Sequence, residues 1–171
     1  MTRVRWVVAL LVLAVAGCSG TGGTSHALET QSGVSMYCAQ QQPDGTVTFA
    51  VSVVQNVTDK PATLAKATLV GSTDGIGLRG VYVDDESDGI QAVNGGPFSE
   101  PAGAATTVAP GASAVLVVGV SLKDGIHAAR ADGLRVEYES DGSSGAFTTD
   151  TVLQTSEAGP SCDDTWAPVV E

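Results

Sequence analysis

The run Ser113-Ala-Val-Leu-Val-Val-Gly-Val-Ser-Leu122 decides how the rest of the chain is read. In an extended strand successive side chains point to opposite faces. Leu116, Val118, Val120 and Leu122 therefore share one face, and Val115 and Val117 lie on the other. Apolar residues on both faces imply a strand whose sheet is covered on both faces at this point. Moving toward the N-terminus, Thr46-Val-Thr-Phe-Ala-Val-Ser-Val53 alternates cleanly and places Val47, Phe49, Val51 and Val53 together. After a turn over Asn56–Pro61 the pattern continues through Ala65, Ala67 and Leu69. Ile76–Val83 is a further strand candidate, weakened by Gly77 and Gly80. Moving toward the C-terminus, Leu134-Arg-Val-Glu-Tyr-Glu139 directs Leu134, Val136 and Tyr138 inward. Asp141-Gly142-Ser-Ser-Gly145 reads as a hairpin turn into a strand over Phe147–Leu153. Lys123–Ala131 is the one segment that invites a helix, short enough to be a single connecting turn.

About seven short strands separated by Gly- and Pro-containing turns predict an all-β fold, one antiparallel β-sandwich. Val54-Gln-Asn-Val-Thr-Asp-Lys-Pro-Ala62, followed by Val108-Ala-Pro-Gly111 before the long apolar strand, resembles bacterial immunoglobulin-like adhesion or accessory modules. Gly133-Leu-Arg-Val-Glu-Tyr138 is similar to the strand that carries a tyrosine corner in such folds. The resemblance implies an immunoglobulin-like β-sandwich. It departs from antibody domains in lacking a disulfide between the sheets and a central tryptophan, since Trp166 falls in the tail. Fold does not fix function.

The chain opens with Arg3 and Arg5 and then runs apolar from Trp6 to Ala16. That run is shorter than the roughly 20 residues a membrane-spanning helix needs, and it fits the apolar region of a secretory signal. It ends in Val15-Ala16-Gly17-Cys18, which resembles the bacterial lipobox. The resemblance implies cleavage before Cys18, diacylglycerol on its sulfur, and anchorage at the extracytoplasmic face of the cell membrane. The composition, low in Lys and rich in Ala, Gly, Val, Thr and Asp, resembles that of high-GC actinobacterial proteins. Residues 1–17 are thus expected to be a lipoprotein signal peptide. Residues 18–33 are expected to be the lipidated cysteine with a Gly/Ser/Thr-rich flexible tether, and 34–171 the sandwich domain with a C-terminal tail. Assigning Cys18 to lipid leaves Cys38 and Cys162 as an even pair, expected to form a disulfide in an oxidising compartment. Closing so long a loop would stabilise by roughly 4–5 kcal/mol in the chain-entropy description.

The formal charge is −11, more negative by two once Arg3 and Arg5 are removed. Such a surface repels phosphate backbones, so nucleic acid is not an expected partner, and no basic patch assists the lipid at the membrane. The densest polar feature is Asp84-Asp85-Glu86-Ser87-Asp88-Gly89. Its spacing starts like a calcium loop, but the twelfth position is Gly95 instead of a bidentate Glu and no helices flank it. An acidic surface turn is the expected reading, with weak calcium binding as the alternative. Neither G-x-S-x-G nor H-E-x-x-H, C-x-x-C or a P-loop occurs. His26 falls in the tether and His127 stands alone, so a catalytic triad lacks its base. No cofactor or metal is expected. The expectation is a non-enzymatic, lipid-anchored module that binds an envelope protein or cell-wall component, with an envelope-polymer hydrolase as the alternative. Its contact residues would be Tyr82, Asp84, Asp85, Asp88 and Phe98, since exposed aromatics make strong anchors and Phe98 falls in the patternless stretch from Ile90 to Thr107; the alternative is that Phe98 and Trp166 plug small satellite cores.

Overall fold

Alternation becomes eleven strands and no helix among the residues that the computed structural model describes, 26–31, 35–85 and 95–157, the side chain of Asp85 excepted. One sheet has the order β1 (Leu28–Thr30), β3 (Val47–Asn56), β7 (Ser113–Leu122), β5 (Ile76–Asp85), antiparallel throughout. A second has the order β10 (Ser143–Thr148), β9 (Gly133–Ser140), β4 (Ala62–Val70), β6 (Thr107–Val108), also antiparallel. A third joins β2 (Ser35–Gln40), β11 (Thr151–Ser156) and β8 (Ala128–Ala131). Its β2–β11 pair is parallel, the one departure from antiparallel pairing among the described strands.

The three sheets enclose one core. Phe49 and Val54 of β3 and Leu116, Val118 and Val120 of β7 pack with Leu134 and Val136 of β9 and Leu153 of β11. The result is the immunoglobulin-like β-sandwich expected from the sequence, with its second layer divided between two sheets. β7 is covered on both sides, as its composition implied: nine of its ten residues are buried.

Three β-bulges correct the simple alternation. In β3 the register slips at Val51, between Ala50 and Ser52. The extra residue reverses the pleat, so Val54 enters the core in place of Val53, which packs on the opposite face. The bulge frees the Val51 carbonyl, and the Thr151 hydroxyl donates to it at 2.7 Å. In β4 a slip at Ala65 leaves that residue exposed, while Leu64, Ala67 and Leu69 reach the core. In β5 the slip falls at Arg79.

Other expectations are corrected or refined. The flexible tether expected over 18–33 already contains β1: Leu28–Thr30 pairs with β3, and Ala27 and Leu28 are buried in the core, so the sandwich begins before the expected boundary at 34. Lys123–Ala131 is a turn followed by β8, with no helix. The single strand expected over Phe147–Leu153 breaks at Thr149, whose hydroxyl and N–H bond both backbone groups of Leu134, at 3.1 and 2.9 Å. The chain then crosses to the third sheet as β11. The hairpin turn is Asp141–Gly142 alone, both with positive φ (50° and 73°), the two-residue geometry that matches strand twist. Gly145 belongs to β10, where it makes room for the Tyr138 ring. Asn56, fully buried, organises the turn after β3. Its amide donates to Lys60 and Val108 carbonyls (2.7 and 3.0 Å), and its oxygen accepts from the Thr58 N–H and hydroxyl (3.0 and 2.8 Å). A buried amide with its donors and acceptor satisfied holds its turn rigidly.

Candidate functional site

Gly80 of β5 and Gly119 of β7 are cross-strand partners, and together they leave a slot on the outer face of the first sheet. Phe98 lies in it: a side-chain carbon on either glycine would overlap the phenyl ring. The segment carrying Phe98 is bonded to β3. Thr48 exchanges backbone bonds with Gly95 and Gly96 (2.9 Å each), and its hydroxyl donates to the Pro97 carbonyl at 3.0 Å. The Phe98 N–H donates to the Thr46 hydroxyl at 2.8 Å. Tyr82 stands beside the slot, its ring 6.2 Å from that of Phe98 at a tilt of 37°, a favourable aromatic arrangement. With Val115 and Val117 it forms a small second core, flanked by Ala50, Val53, Phe98 and Ala104.

The structure therefore brings Tyr82 and Phe98 together; it corrects the exposure expected of Tyr82, and it bears out for Phe98 the alternative of packing in a satellite core. Tyr82 is 7 % exposed and Phe98 is half-buried; both serve to fasten residues 95–105 over the sheet. The Tyr82 phenol titrates above its ordinary value. Burial is the main cause, followed by the negative charges of Asp84 and Glu100, which oppose the phenolate. Asp84, half-buried, follows Tyr82 on the same face of β5, and Asp85 is that strand's last residue. Asp88, Cys18 and Cys162 lie outside the described residues, as do the signal segment, most of the tether and Trp166. Among the described residues no three His, Cys, Asp or Glu side chains gather to hold a metal ion.

Cys38 is half-buried in the middle of β2, in register with Gln154 of β11. His127 is a surface residue with an 80 % exposed side chain; its Nδ1 meets Glu157 Oε2 at 2.7 Å. The Tyr138 hydroxyl accepts the Ala27 N–H at 3.0 Å. This differs from the expected tyrosine corner, which bonds the chain a few residues upstream. Here the bond spans 111 positions and pins the entry of the chain. The Ala27 carbonyl is held as well, by the Val57 N–H at 3.0 Å. A polar cleft of about 260 Å³ adjoins this point, between Thr58–Lys60 and Ser140–Gly145.

The sequence reading missed a second region, the side of the sandwich between β4 and β5. A groove of about 200 Å³ runs there over Leu64, Ala67, Leu78 and Val81, which are half-buried. At Leu78 it meets a wider cleft of about 340 Å³ lined by Arg79, Lys123 and Asp124. Neither Arg79 nor Lys123 makes an ion pair among the described residues, whereas Arg130 and Arg135 face Asp132 and Glu137 at 2.8 and 3.8 Å. Unpaired cations in so acidic a chain were the available sequence signal, but which of them share a side depends on topology.

No family model matches this chain, and no curated protein matches it. Among solved structures it is similar to the Vibrio cholerae VesB protease, at 14% identity and a TM-score of 0.38, over 77% of this chain and 32% of that one. The chain thus spans about a third of the protease's length. It is also similar to the ASH / PapD-like domain of human CEP192, at 10% identity and a TM-score of 0.42, over 91% of this chain and 99% of that domain.

Proposed function

We propose that the chain is a non-enzymatic binding module, held by lipid on Cys18 at the extracytoplasmic face of a bacterial cell membrane, where it engages an envelope protein or cell-wall component. The observation that carries this reading is the pair of hydrogen bonds at Ala27, which fix the chain to the sandwich nine positions after Cys18. Nine extended residues span at most about 30 Å. A lipid at Cys18 would thus hold the sandwich near the membrane, with the Ala27 end toward it. The opposite end, with the Lys123–His127 turn, and the flanks would face the envelope.

Two further features support the reading. Tyr82 and Phe98 are spent inside the molecule, which turns attention to the β4–β5 side as the contact surface. His127, the base a triad would require, is at the surface and paired with Glu157. The Cys38–Cys162 disulfide belongs to the same reading, as the fastening of the C-terminal segment to β2.

Fractionation and crosslinking test it together. The native protein should pellet with membranes and release only in detergent, and Cys18→Ala should shift to the soluble fraction. In-cell crosslinking of the native protein should return one reproducible envelope partner. Membrane retention of Cys18→Ala would remove the lipid anchor. Hydrolysis of wall material by the purified protein, without a crosslinked partner, would replace the binding reading by the hydrolase alternative.

A further inference from the structure

Two strand edges on one side of the sandwich carry no partner strand among the described residues. β6 pairs only with Ala62 and Thr63, and the Thr106 carbonyl accepts the Leu64 N–H at 2.7 Å. Beyond that point, from Ala65 to Val70, the β4 edge is unpaired. β5 pairs with β7, while its other edge is bridged at Val83 by Ala105 and carries no strand from Ile76 to Tyr82. Between these edges lies the stripe Leu64, Ala67, Leu78 and Val81, packed on the core below and half-open above. An unpaired row of N–H and C=O groups beside an apolar stripe is the arrangement that accepts an added strand. The backbone supplies affinity, and pockets for alternate side chains supply specificity.

The charges at one end of the stripe select the kind of strand. Arg79, the bulged residue of β5, and Lys123 share the cleft that continues from Leu78, with Asp124 as the opposing carboxylate. Lys66 on the groove's rim is a third cation on this side, offset in part by its cross-strand neighbour Glu137, which also faces Arg135.

We infer that the β4–β5 side binds an extended acidic segment of an envelope protein. The segment pairs with the free β4 edge, sets alternate aliphatic side chains on Leu64, Ala67, Leu78 and Val81, and places its carboxylates at Arg79 and Lys123. This rests on the binding-module reading and gives it a site and a partner chemistry.

The test uses the full-length chain in detergent and a fluorescent peptide of alternating Val and Glu, followed by anisotropy. Alternating Val and Lys, and polyglutamate, serve as comparison probes. The Val/Glu peptide should bind about tenfold or more tighter than either. Ala67→Phe, which fills the half-open groove, should abolish binding, with circular dichroism and a cooperative melt showing that the fold is retained. Arg79→Glu with Lys123→Glu should reverse the preference toward the Val/Lys peptide. Absence of binding at about 1 mM peptide overturns the inference. So does equal binding of polyglutamate that ignores Ala67→Phe, which would be ion exchange alone. Self-association of the chain that Ala67→Phe removes would assign the groove to a second copy and overturn it too. A crosslinked partner in cells that survives Ala67→Phe sinks this site while sparing the binding module; loss of every crosslink in the native protein sinks both.

Discussion

The outer edge of β3 and the outer edge of β4 are treated in opposite ways. Along β3 four separate devices close the edge: β1 pairs with Val54–Asn56, and the Gln31 N–H reaches the Val53 carbonyl at 3.2 Å. The Thr151 hydroxyl takes the Val51 carbonyl, and Gly95–Gly96 pair with Thr48. Along β4 the closure stops at Leu64. Exposed edges invite unwanted pairing, and proteins commonly blunt them with charge, twist or cover. Here Lys66, the bulge at Ala65 and the bulge at Arg79 supply charge and twist on that side, and none of the described residues covers it. The two edges teach that closing a sheet falls to short, distant segments, while an edge left open retains a capacity to bind.

The closed side should fail first under substitution. Gly119→Ala drives a methyl into the Phe98 ring and should lift residues 95–105 off the sheet, costing about 3 kcal/mol. Urea unfolding would measure this; adding Phe98→Ala should recover part of the loss, because the clash is then gone. A cost below about 0.5 kcal/mol would mean that Phe98 does not fasten the segment. A subtler comparison lies within β11, where Thr151 and Thr155 flank Leu153 on one face. The Thr151 hydroxyl serves the bulge carbonyl, whereas the Thr155 hydroxyl is the one buried side-chain polar atom among the described residues without a hydrogen-bond partner. Thr151→Val should therefore destabilise by about 1–2 kcal/mol, and Thr155→Val should stabilise by about 1 kcal/mol. Equal effects from the two would show that the bulge carbonyl finds another donor.

How far the sequence reveals these features follows from their range. β3, β7 and β9 were legible because local alternation alone identifies them, and the apolar doubling of β7 foretold cover on both faces. β1, β2, β6 and β8 were not, being short and stabilised by partners far along the chain: Leu28 pairs with Asn56, and Ser35 with Thr151. The bulges at Val51, Ala65 and Arg79 reverse facing without interrupting composition, so Val53 and Ala65 were assigned to the wrong face. In the sequence Tyr82 and Phe98 stand out only as separate aromatics; that they meet, and that they face inward, depends on Gly80 meeting Gly119 across two strands. Those glycines read locally as weakness in a strand, and only the register reveals them as a seat for an aromatic ring. Arg79 and Lys123 were passed over for a related reason, since only folding brings them to one cleft.

The smallest expected effect is electrostatic and also tests which side is closed. If Tyr82 is sealed under Phe98 beside Asp84 and Glu100, its phenol stays protonated above the pH at which an unfolded tyrosine ionises. The unfolded state then loses its proton first as pH rises past the ordinary value near 10. By linkage, the stability that Tyr82 contributes is complete below that pH and is lost as pH climbs through the raised native value. Tyr82→Phe removes this dependence, so the native protein should lose stability faster than the variant above pH ~10, with parallel curves at neutral pH. Ultraviolet titration should show one late phenol in the native protein that is missing from the variant. In a Gly119→Ala background, where Phe98 is expelled and water reaches the ring, the same phenol should titrate earlier. A Tyr82 that ionises at the ordinary tyrosine value near 10 in the native protein would mean that the outer face is open after all, and the contrast between the two edges would lose one of its sides.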